Sequence, residues 1–435
     1  MKLRSIILFL SLWALGLMSC DNTSTIEDPS NSFFIKFYGT DGDQTGNDLV
    51  VLPDGTIMMF GTTRPTGKKS QWYLVKLDAN GHILRELTYG GPFDEEARDI
   101  ELTADGRLVV VGNSYTANGD RDILLMTLTL DGAKIDSTLV GYKNKANQPT
   151  DEDALSVSLT NDGFIVAGST SNTDLKPTGS TPLNDTRDAL HARFFNNLTV
   201  YPPTWTLTQG PGTLDVAVKV IQITNSQFYL FGYSNSLVPG HPTNDINYWV
   251  FPLGPNGDAN NQVLFIGNPN TDELLSSVAV APAQTGDGYI LSGITYTTPG
   301  TTNAGDVYIA RLRKSLVFNA LDNQTSPKSL SLNLGNGLPN NTSTYASRQS
   351  GFYVLTDERS FNDNQNWLLT KWNTDVTTAF QPIVFGGEGL DDCGKVEELP
   401  DGRLLILGTM RTGKPDAGET KMTLIKVNSD GKLAK

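Results

Sequence analysis

The sequence predicts an all-β fold, namely a seven-bladed β-propeller of four-stranded antiparallel blades that is closed by the N-terminal strand. Three observations predict it: one stretch has the pattern of four strands, its central turn and strand recur seven times, and the two ends of the chain complement each other. Alternating polar and apolar residues indicate half-buried strands. Four-stranded units repeated about every fifty residues are typical of propellers.

The clearest unit spans residues 89–139, with the strand-like HILRELTY just before it. ARDIELT and DILLMTLTL alternate between polar and apolar residues, whereas RLVVVG is a continuous apolar run, which indicates a strand covered on both faces. The turns TADG and LDG are short, and their glycines suit the positive φ of tight hairpins. The unit is therefore predicted to form one four-stranded antiparallel blade.

The turn followed by an apolar strand recurs seven times, at intervals of about 51 to 64 residues. Each copy ends at a closing position, which is glycine in six copies and aspartate in one. The predicted closing positions are Gly61, Gly112, Gly168, Gly232, Gly293, Asp357 and Gly408. A single sheet of this kind cannot bury both of its faces alone, but radial stacking of seven sheets can.

The two ends of the chain predict how the ring closes. FFIKFYG, at 33–39, resembles the outer strand of the repeat, and KMTLIKVNSDG, at 421–431, resembles the third strand. The last blade therefore lacks an outer strand of its own. We expect the N-terminal strand to supply it, which would remove an exposed sheet edge.

The first twenty residues carry an export signal. Lys2 and Arg4 precede a short apolar run that ends in LMSC. The run is too short for a membrane span, and its end resembles a bacterial lipoprotein signal, in which the cysteine is lipidated. The sequence thus predicts a signal peptide at 1–20 with lipidated Cys20, a polar tether at 21–32 and the propeller at 33–435. Simple cleavage, or an incidental cysteine, is the alternative.

Composition fits an exported domain that does not bind nucleic acid. The formal net charge is −14, and removal of Lys2 and Arg4 with the signal peptide gives −14 − 2 = −16. Nucleic-acid binding draws on Lys and Arg contacts to phosphate, so this charge argues against it. Cys393 is the second of two cysteines, so lipidation of Cys20 leaves no intramolecular disulfide. Membrane contact is expected through the lipid anchor alone.

Loop lengths predict the functional face. The turns within hairpins are short, whereas the other connections are longer and vary between repeats, so one face of the disc is elaborated. Binding residues concentrate in such loops. Acidic residues recur where the chain enters each inner strand, and the candidates are Asp43, Asp94, Glu95, Asp151, Asp272 and Asp391. A ring of carboxylates would suit calcium, cationic ligands or polyhydroxylated ligands. The alternative is that these residues form turns and cap strands.

Basic residues occupy one loop of the first and seventh repeats, which ring closure makes neighbours. The candidates are Arg64, Lys68, Arg411 and Lys414, in GTTRPTGKK and GTMRTGKPD. Acidic sugars or acidic protein partners would fit a patch of this kind. The alternative is solvated surface charge.

A search for catalytic motifs is mostly negative. The three histidines, His82, His191 and His241, are scattered, and neither an HExxH motif nor a GxSxG motif occurs. Cys393 follows two acids that disfavour its thiolate. Hydrolysis by a pair of carboxyl groups stays open, because it needs only two suitably placed acids. Tryptophans near the start of the third strand, such as Trp72 and Trp367, are expected to pack between blades.

The repeat follows one pattern: YGG, a few acids, an alternating strand, xDGxxxxxG, a variable loop and a strand ending like WYLVKLDANG. This pattern resembles the bacterial exported β-propeller repeats of Bacteroidetes-type lipoproteins. The resemblance implies the fold and a bacterial cell-envelope location, with the outer membrane as the expected anchor site, but no specific activity. The expected function is binding of a ligand, a glycan or an envelope protein, on the long-loop face. The alternatives are a carbohydrate-active hydrolase or lyase and a structural scaffold. No cofactor is predicted, although calcium would suit the acids.

Overall fold

The computed structural model describes most of the chain from Phe33 onward. The described residues are 33–172, 174, 186–201, 207–209, 213–236, 245–258, 262–281, 288–296, 305–316, 328–330, 342–359, 365–380, 382–387, 389–413 and 418–433. Cys20, the tether, His241 and Lys414 lie outside them. Within these ranges no helix is long and apolar enough to cross a membrane. The described residues form 28 β-strands, arranged in seven four-stranded antiparallel sheets.

The first four strands after the N-terminal strand form blade 1, and the next two groups of four form blades 2 and 3. The strands in this part are β1 (Phe34–Tyr38), β2 (Asp43–Val51), β3 (Ile57–Arg64), β4 (Gln71–Leu77), β5 (Ile83–Tyr89), β6 (Glu95–Leu102), β7 (Arg107–Tyr115), β8 (Arg121–Thr129), β9 (Lys134–Val140), β10 (Glu152–Leu159), β11 (Gly163–Thr170), β12 (Asp188–Phe195) and β13 (Leu207–Gln209).

Blades 4, 5 and 6 repeat this order, and blade 7 is made from the last three strands together with β1. Their strands are β14 (Asp215–Thr224), β15 (Gln227–Ser234), β16 (Asn247–Leu253), β17 (Leu264–Ile266), β18 (Asp272–Ala281), β19 (Gly288–Tyr296), β20 (Gly305–Arg313), β21 (Lys328–Leu330), β22 (Thr342–Ala346), β23 (Phe352–Arg359), β24 (Gln365–Trp372), β25 (Ile383–Phe385), β26 (Asp392–Glu398), β27 (Leu404–Arg411) and β28 (Thr420–Val427).

The predicted all-β fold, a seven-bladed propeller closed by the N-terminal strand, is confirmed. Strand β1 pairs antiparallel with β28, so that Phe34 lies opposite Lys426 and Tyr38 opposite Met422. Phe34 and Tyr38 are buried in the apolar core that blades 7 and 1 share. The Tyr38 hydroxyl donates a 2.9 Å hydrogen bond to the Gly81 carbonyl of blade 1. The first strand thus completes the last blade and also attaches it to its neighbour.

Neighbouring blades pack through a glycine on the second strand. A Cβ atom added at Gly112 would lie 2.1 Å from the Glu96 carbonyl oxygen and 3.0 Å from the Trp72 ring of the preceding blade. Gly408 meets Trp367 of blade 6 in the same way. Both tryptophans are fully buried, so their predicted packing between blades is confirmed. Glycine is required because the inner strand of its own blade and the aromatic ring of the preceding blade leave no room for a side chain.

The predicted closing position of blade 6 was wrong by one residue. Trp72 pairs with Thr62, which follows the closing Gly61, and the corresponding Trp367 pairs with Asp357. Thr356 therefore occupies the closing position of blade 6, and Asp357 follows it. Counting from the turn glycine caused the error, because this glycine holds different positions in the two turns. In blade 6 the Ser347 amide bonds to the carbonyl of the turn glycine itself, Gly351, whereas the matching bond in blade 1 is accepted by Thr56, the residue after the turn glycine Gly55.

Candidate functional site

A cavity of about 960 Å³ occupies the centre of the ring. It reaches the ends of the strands that carry the long loops, since Asp43, Arg64 and Thr420 are among its lining residues. Its walls come chiefly from the inner strands β2, β6, β10, β14, β18, β22 and β26. The site is therefore built on the strands themselves, with the long-loop face at its mouth.

A β-bulge shapes the wall in six of the seven inner strands. At each bulge the pairing with the second strand shifts by one residue, which leaves one extra residue without a partner across the sheet. The extra residues are Asn47, Arg98, Leu155, Val218, Ser276 and Gly394, and all of them line the cavity. The bulges thus place a different residue from each of six blades on the cavity wall.

The residue after each bulge is polar, as is Ser343 at the equivalent position of blade 6, and all of these residues except Lys219 bond to the next blade. Asp99 accepts a 2.8 Å hydrogen bond from the Val157 amide of blade 3, and the Ser156 hydroxyl donates at 2.7 Å to the Val218 carbonyl of blade 4. The Ser343 hydroxyl of blade 6 accepts from the Val396 amide at 3.2 Å. The ring of these residues is Asp48, Asp99, Ser156, Lys219, Ser277, Ser343 and Lys395. Such bonds satisfy backbone groups that burial between blades would otherwise leave unpaired.

Four members of this ring carry ionisable groups and form a central ion network. Lys395 of blade 7 pairs with Asp48 of blade 1 at 2.9 Å, and Lys219 of blade 4 reaches across the channel to Glu101 of blade 2 at 3.3 Å. Burial and then the adjoining Asp48 raise the pKa of Asp99 well above its usual value. Burial acts to raise the pKa of Asp48 as well, but Lys395 and further hydrogen bonds outweigh it and lower that pKa.

Apart from Lys219 and Asp357, the opposite side of the cavity is uncharged. Leu155, Val218, Tyr233, Leu274 and Ile294 line it on blades 3, 4 and 5. Hydroxyl groups join them on blades 5 and 6, where Ser276, Ser277, Thr342, Ser343 and Thr344 line the cavity. The cavity is thus asymmetric, with ions towards blades 7, 1 and 2 and with apolar and hydroxyl-bearing side chains towards the other blades.

Four of the predicted acids cap a strand of the preceding blade. Asp94 accepts from the Ser70 amide at 2.9 Å and Asp151 from the Arg121 amide at 3.0 Å. Asp272 accepts from the Ile246 amide at 2.8 Å, and Asp43 from the Thr420 amide at 2.9 Å. In each case the acceptor lies at the entry of an inner strand and the donor at or just before the start of a third strand. Strand capping, the alternative reading of these acids, therefore accounts for their recurrence.

The other two predicted acids hold their own loops. Glu95 is buried and accepts from the Gly91 amide and from the Ser114 hydroxyl, both at 3.2 Å. Asp391 is buried and accepts from the Arg411 amide at 2.8 Å and from the Gly387 amide at 2.9 Å. Burial raises the pKa of both carboxyl groups.

The predicted basic patch is only partly brought together. Arg64 lines the cavity mouth, where it lies 3.5 Å from Asp94. Lys68 is exposed in the adjacent turn. The Arg411 guanidinium donates a 2.7 Å bond to the Gly418 carbonyl. Lys414 lies outside the described residues, so the patch as a whole stays a prediction.

One wall of the cavity holds a buried carboxyl group that the sequence did not single out. Asp357, at the border of blades 6 and 7, accepts a 2.6 Å bond from the Cys393 amide through Oδ1. Its Oδ2 is buried and has no hydrogen-bond partner in the described part of the chain. Burial raises the pKa of Asp357 to about 8. Asp392 lines the same wall and accepts from the Gln365 amide group at 2.7 Å.

Histidine and metal chemistry finds little support in the described residues. Burial lowers the pKa of His191 to about 4, and its Nε2 lies 3.1 Å from the Gly257 carbonyl oxygen, between blades and away from the cavity lining. His82 pairs with Asp78 in a hairpin turn. Across the ranges that the structure describes, no group of three or more His, Cys, Asp or Glu side chains is placed to hold a metal ion.

Comparison with known proteins supports the propeller. Residues 103–134 match the family "Domain of unknown function (DUF5122) beta-propeller". This segment is the β7–β8 hairpin of blade 2 with the turns on either side of it. No curated protein matches the chain. The family match and the seven sheets agree on the fold, and neither specifies an activity.

Solved structures with this architecture have low sequence identity to the chain. An ulvan lyase of a new polysaccharide lyase family, bound to a saccharide, has a TM-score of 0.53 at 9% identity and covers 91% of this chain and 96% of its own. A Dyadobacter fermentans protein of unknown function has a TM-score of 0.49 at 11% identity, covering 91% and 97%. The periplasmic gluconolactonase of Pseudomonas aeruginosa has a TM-score of 0.47 at 12% identity, covering 77% and 84%. At these identities the likeness concerns the fold alone.

Sequence reasoning missed the residues that line the centre of the channel. Asp48, Asp99, Lys219 and Lys395 lie two positions after Gly46, Ala97, Ala217 and Cys393, inside strands that carry other polar residues as well. A charged residue at one fixed offset in a strand with a buried face was the available signal. It becomes specific only when the bulge before it is known.

Proposed function

We propose that the chain is a lipoprotein of the bacterial cell envelope whose propeller binds a glycan in the central cavity, with the long-loop face as the entrance. The cavity is the observation that carries the proposal. Its volume of about 960 Å³ lies near the upper end of the roughly 300–1,000 Å³ typical of small-molecule sites. Its wall offers apolar, hydroxyl and ionic groups on different blades, which is the mixture that orients a ligand.

The anchor is the second part of the proposal. It rests on the sequence of residues 1–20, where a basic start, a short apolar run and LMSC precede the polar tether. We propose that Cys20 carries the lipid and that the outer membrane holds it. Labelling of cells with a fatty-acid analogue tests this: the wild-type chain should incorporate the label and a Cys20→Ser variant should not. Equal labelling of both chains would contradict the anchor.

Thermal unfolding tests ligand binding. The full chain, purified in detergent, is melted with a panel of neutral and acidic polysaccharides, with calcium and with chelator. A ligand present at about a hundred times its Kd stabilises the folded state by about 2.7 kcal/mol, so the midpoint should rise by a few degrees with at least one glycan. A panel without any shift would contradict glycan binding. A shift with calcium alone would favour the metal reading of the acids.

A second candidate function is that of a carbohydrate-active hydrolase or lyase. The observation in its favour is that Asp357 and Asp392 line one wall of the cavity and that burial raises the pKa of both. A carboxyl group that keeps its proton near neutral pH is suited to general acid catalysis. Product analysis separates the two functions: an enzyme shortens the glycan that raises the midpoint, whereas a binding module leaves it intact.

A further inference from the structure

We propose that the cavity takes an uncharged, hydroxyl-rich ligand, a neutral saccharide, and that the Asp357 carboxyl group bonds to one of its hydroxyl groups. This inference rests on the proposed glycan-binding function and specifies the class of glycan. Among the ligands that the sequence suggested, it selects the polyhydroxylated class over acidic sugars and cationic ligands.

Ion pairing argues against an anionic ligand. Arg64, Arg98, Lys219 and Lys395 are the lysines and arginines in the described cavity lining. Each lies near an acid of the protein: Arg64 near Asp94 at 3.5 Å, Arg98 near Glu96 at 3.2 Å, and the two lysines near Glu101 and Asp48. An anionic ligand would have to displace one of these partners and leave a carboxylate partly desolvated.

The acids of the lining argue equally against a cationic ligand. Asp43 bonds to the Thr420 amide and hydroxyl, Asp48 to Lys395 and Glu96 to Arg98. Asp99 accepts from the Val157 amide, and Asp392 accepts from Gln365. These carboxyl groups already have donors from within the protein, so a cation would gain little by displacing them.

The remaining groups suit a molecule with hydroxyl groups and an apolar face. Leu155, Tyr233 and Ile294 present apolar surface on blades 3, 4 and 5, and Ser276 presents a hydroxyl beside them. Saccharide rings combine C–H faces with hydroxyl groups, so both parts of such a wall would have a partner. A pocket that is mostly apolar, with a few placed polar groups, binds by burial and selects by hydrogen bonding.

Asp357 supplies the placed polar group. Its Oδ1 is held by the Cys393 amide at 2.6 Å, so the position of the carboxyl group is set. Its Oδ2, which lacks a partner in the described residues, is buried in the cavity wall. A buried polar atom without a partner is unfavourable, and a ligand hydroxyl would offset that cost. A ligand contact therefore explains a group that the fold alone leaves unsatisfied.

The charge of this group depends on pH. The acidic groups that act on Asp357 are Asp391, Asp392 and Cys393 of blade 7; the first two raise its pKa, whereas the main-chain and thiol hydrogen bonds of Cys393 lower it. Burial is the largest cause and brings the pKa to about 8. At pH 7 the group is mostly protonated and donates a hydrogen bond. At pH 9 only about a tenth remains protonated, and the carboxylate then accepts a hydrogen bond from a ligand hydroxyl instead of donating one.

A binding assay on matched glycans tests the inference. The full chain in detergent is applied to an array of neutral oligosaccharides and their uronic-acid counterparts, and affinities are measured for the strongest binder. We expect neutral members to bind and their uronic-acid counterparts to bind at least tenfold more weakly.

Two variants isolate Asp357. Asp357→Asn keeps a neutral donor and an acceptor in place, so its affinity should stay within about threefold at pH 7. Asp357→Leu should lose about tenfold, with folding checked by circular dichroism. Binding by Asp357→Leu equal to that of the wild type would overturn the role of Asp357. Acidic glycans binding in place of neutral ones would overturn the ligand class while the proposed function stands. An array without any binder would contradict the proposed function itself.

Discussion

Two sectors of the channel bond neighbouring blades together with different side chains. The charged sector lies on blades 7, 1 and 2, and the uncharged sector lies on blades 3, 5 and 6. After the bulge, the charged sector carries Lys395, Asp48 and Asp99, and the uncharged sector carries Ser156, Ser277 and Ser343. In both sectors this residue bonds to the next blade. The fold therefore requires a polar side chain there, but not a particular charge.

The difference has an energetic consequence. A serine hydroxyl can lose its partner at modest cost, whereas a buried carboxylate that loses its counter-ion is strongly destabilising. Asp48 is 3% exposed, so its charge depends on Lys395. The charged sector should thus respond to mutation as a unit, and the uncharged sector should tolerate change and be available to a ligand.

The largest expected effect is the loss of a counter-ion from the charged sector. Lys395→Met removes the ammonium group and leaves Asp48 buried with its other contacts intact. We expect unfolding in urea to show a loss of about 3–5 kcal/mol at pH 7. Ser343→Ala is the matched change in the uncharged sector and should cost about 1 kcal/mol. Equal losses in the two variants would show that the sectors do not differ as described.

A smaller effect should come from the closing positions of two blades. Gly112 has no room for a side chain, because a Cβ atom would lie 2.1 Å from the Glu96 carbonyl oxygen, whereas blade 6 already carries a threonine there. Gly112→Thr should cost about 3 kcal/mol. Thr356→Gly should cost about 1 kcal/mol through backbone entropy. Urea unfolding measures both, and a harmless Gly112→Thr would refute the packing account.

The strand caps should contribute less and should depend on pH. Hydrogen bonds from Lys69 and from Ser70 lower the pKa of Asp94 to about 2. A lowered pKa stabilises the fold above the unfolded value near 3.8, and this contribution is lost as the pH falls towards 2. Asp94→Asn should therefore lose about 1 kcal/mol at pH 6, and the loss should shrink as the pH falls to 2 and below. A loss that persists unchanged at low pH would contradict a role for the charge.

The smallest effect is expected at the exposed rim. The Arg64 side chain is 57% exposed beside Asp94, and such surface pairs contribute about 0–1 kcal/mol. Arg64→Ala should change the unfolding free energy by less than about 0.5 kcal/mol, and added salt should abolish the change. A larger loss that resists salt would assign Arg64 a structural role in the charged sector.

The sequence specified the architecture because its signals are local. Alternating strands, glycine turns such as Gly106 and Gly132, both with positive φ, and complementary chain ends predicted seven blades and their closure. The one register error, Asp357 in place of Thr356, arose where a serine-glycine turn replaced the usual aspartate-glycine turn. A turn glycine can occupy either of two adjacent positions, and only the strand pairing shows which one.

The site was predicted less well because it depends on contacts between blades. The recurring acids were found, but their function as caps is visible only when the Ser70 and Arg121 amides are seen beside Asp94 and Asp151. The channel residues were missed because a bulge changes which way a side chain points without leaving a distinctive sequence pattern. In the sequence, Asp357 was notable only because it was taken to stand where the other repeats have glycine. Its burial beside Cys393 depends on tertiary contacts, which the sequence does not show.

Blocking the cavity tests the central claim most directly. Ser276 is the extra residue at the blade 5 bulge, where blades 2 and 3 carry Arg98 and Leu155, so a large side chain fits this position. Ser276→Trp would place an indole in the cavity and leave the ring of interblade hydrogen bonds intact. We predict that the folded variant loses at least tenfold in affinity for the glycan that stabilises the wild type, while Lys68→Ala at the rim binds normally. Undiminished binding by a folded Ser276→Trp variant would contradict a ligand site in the channel.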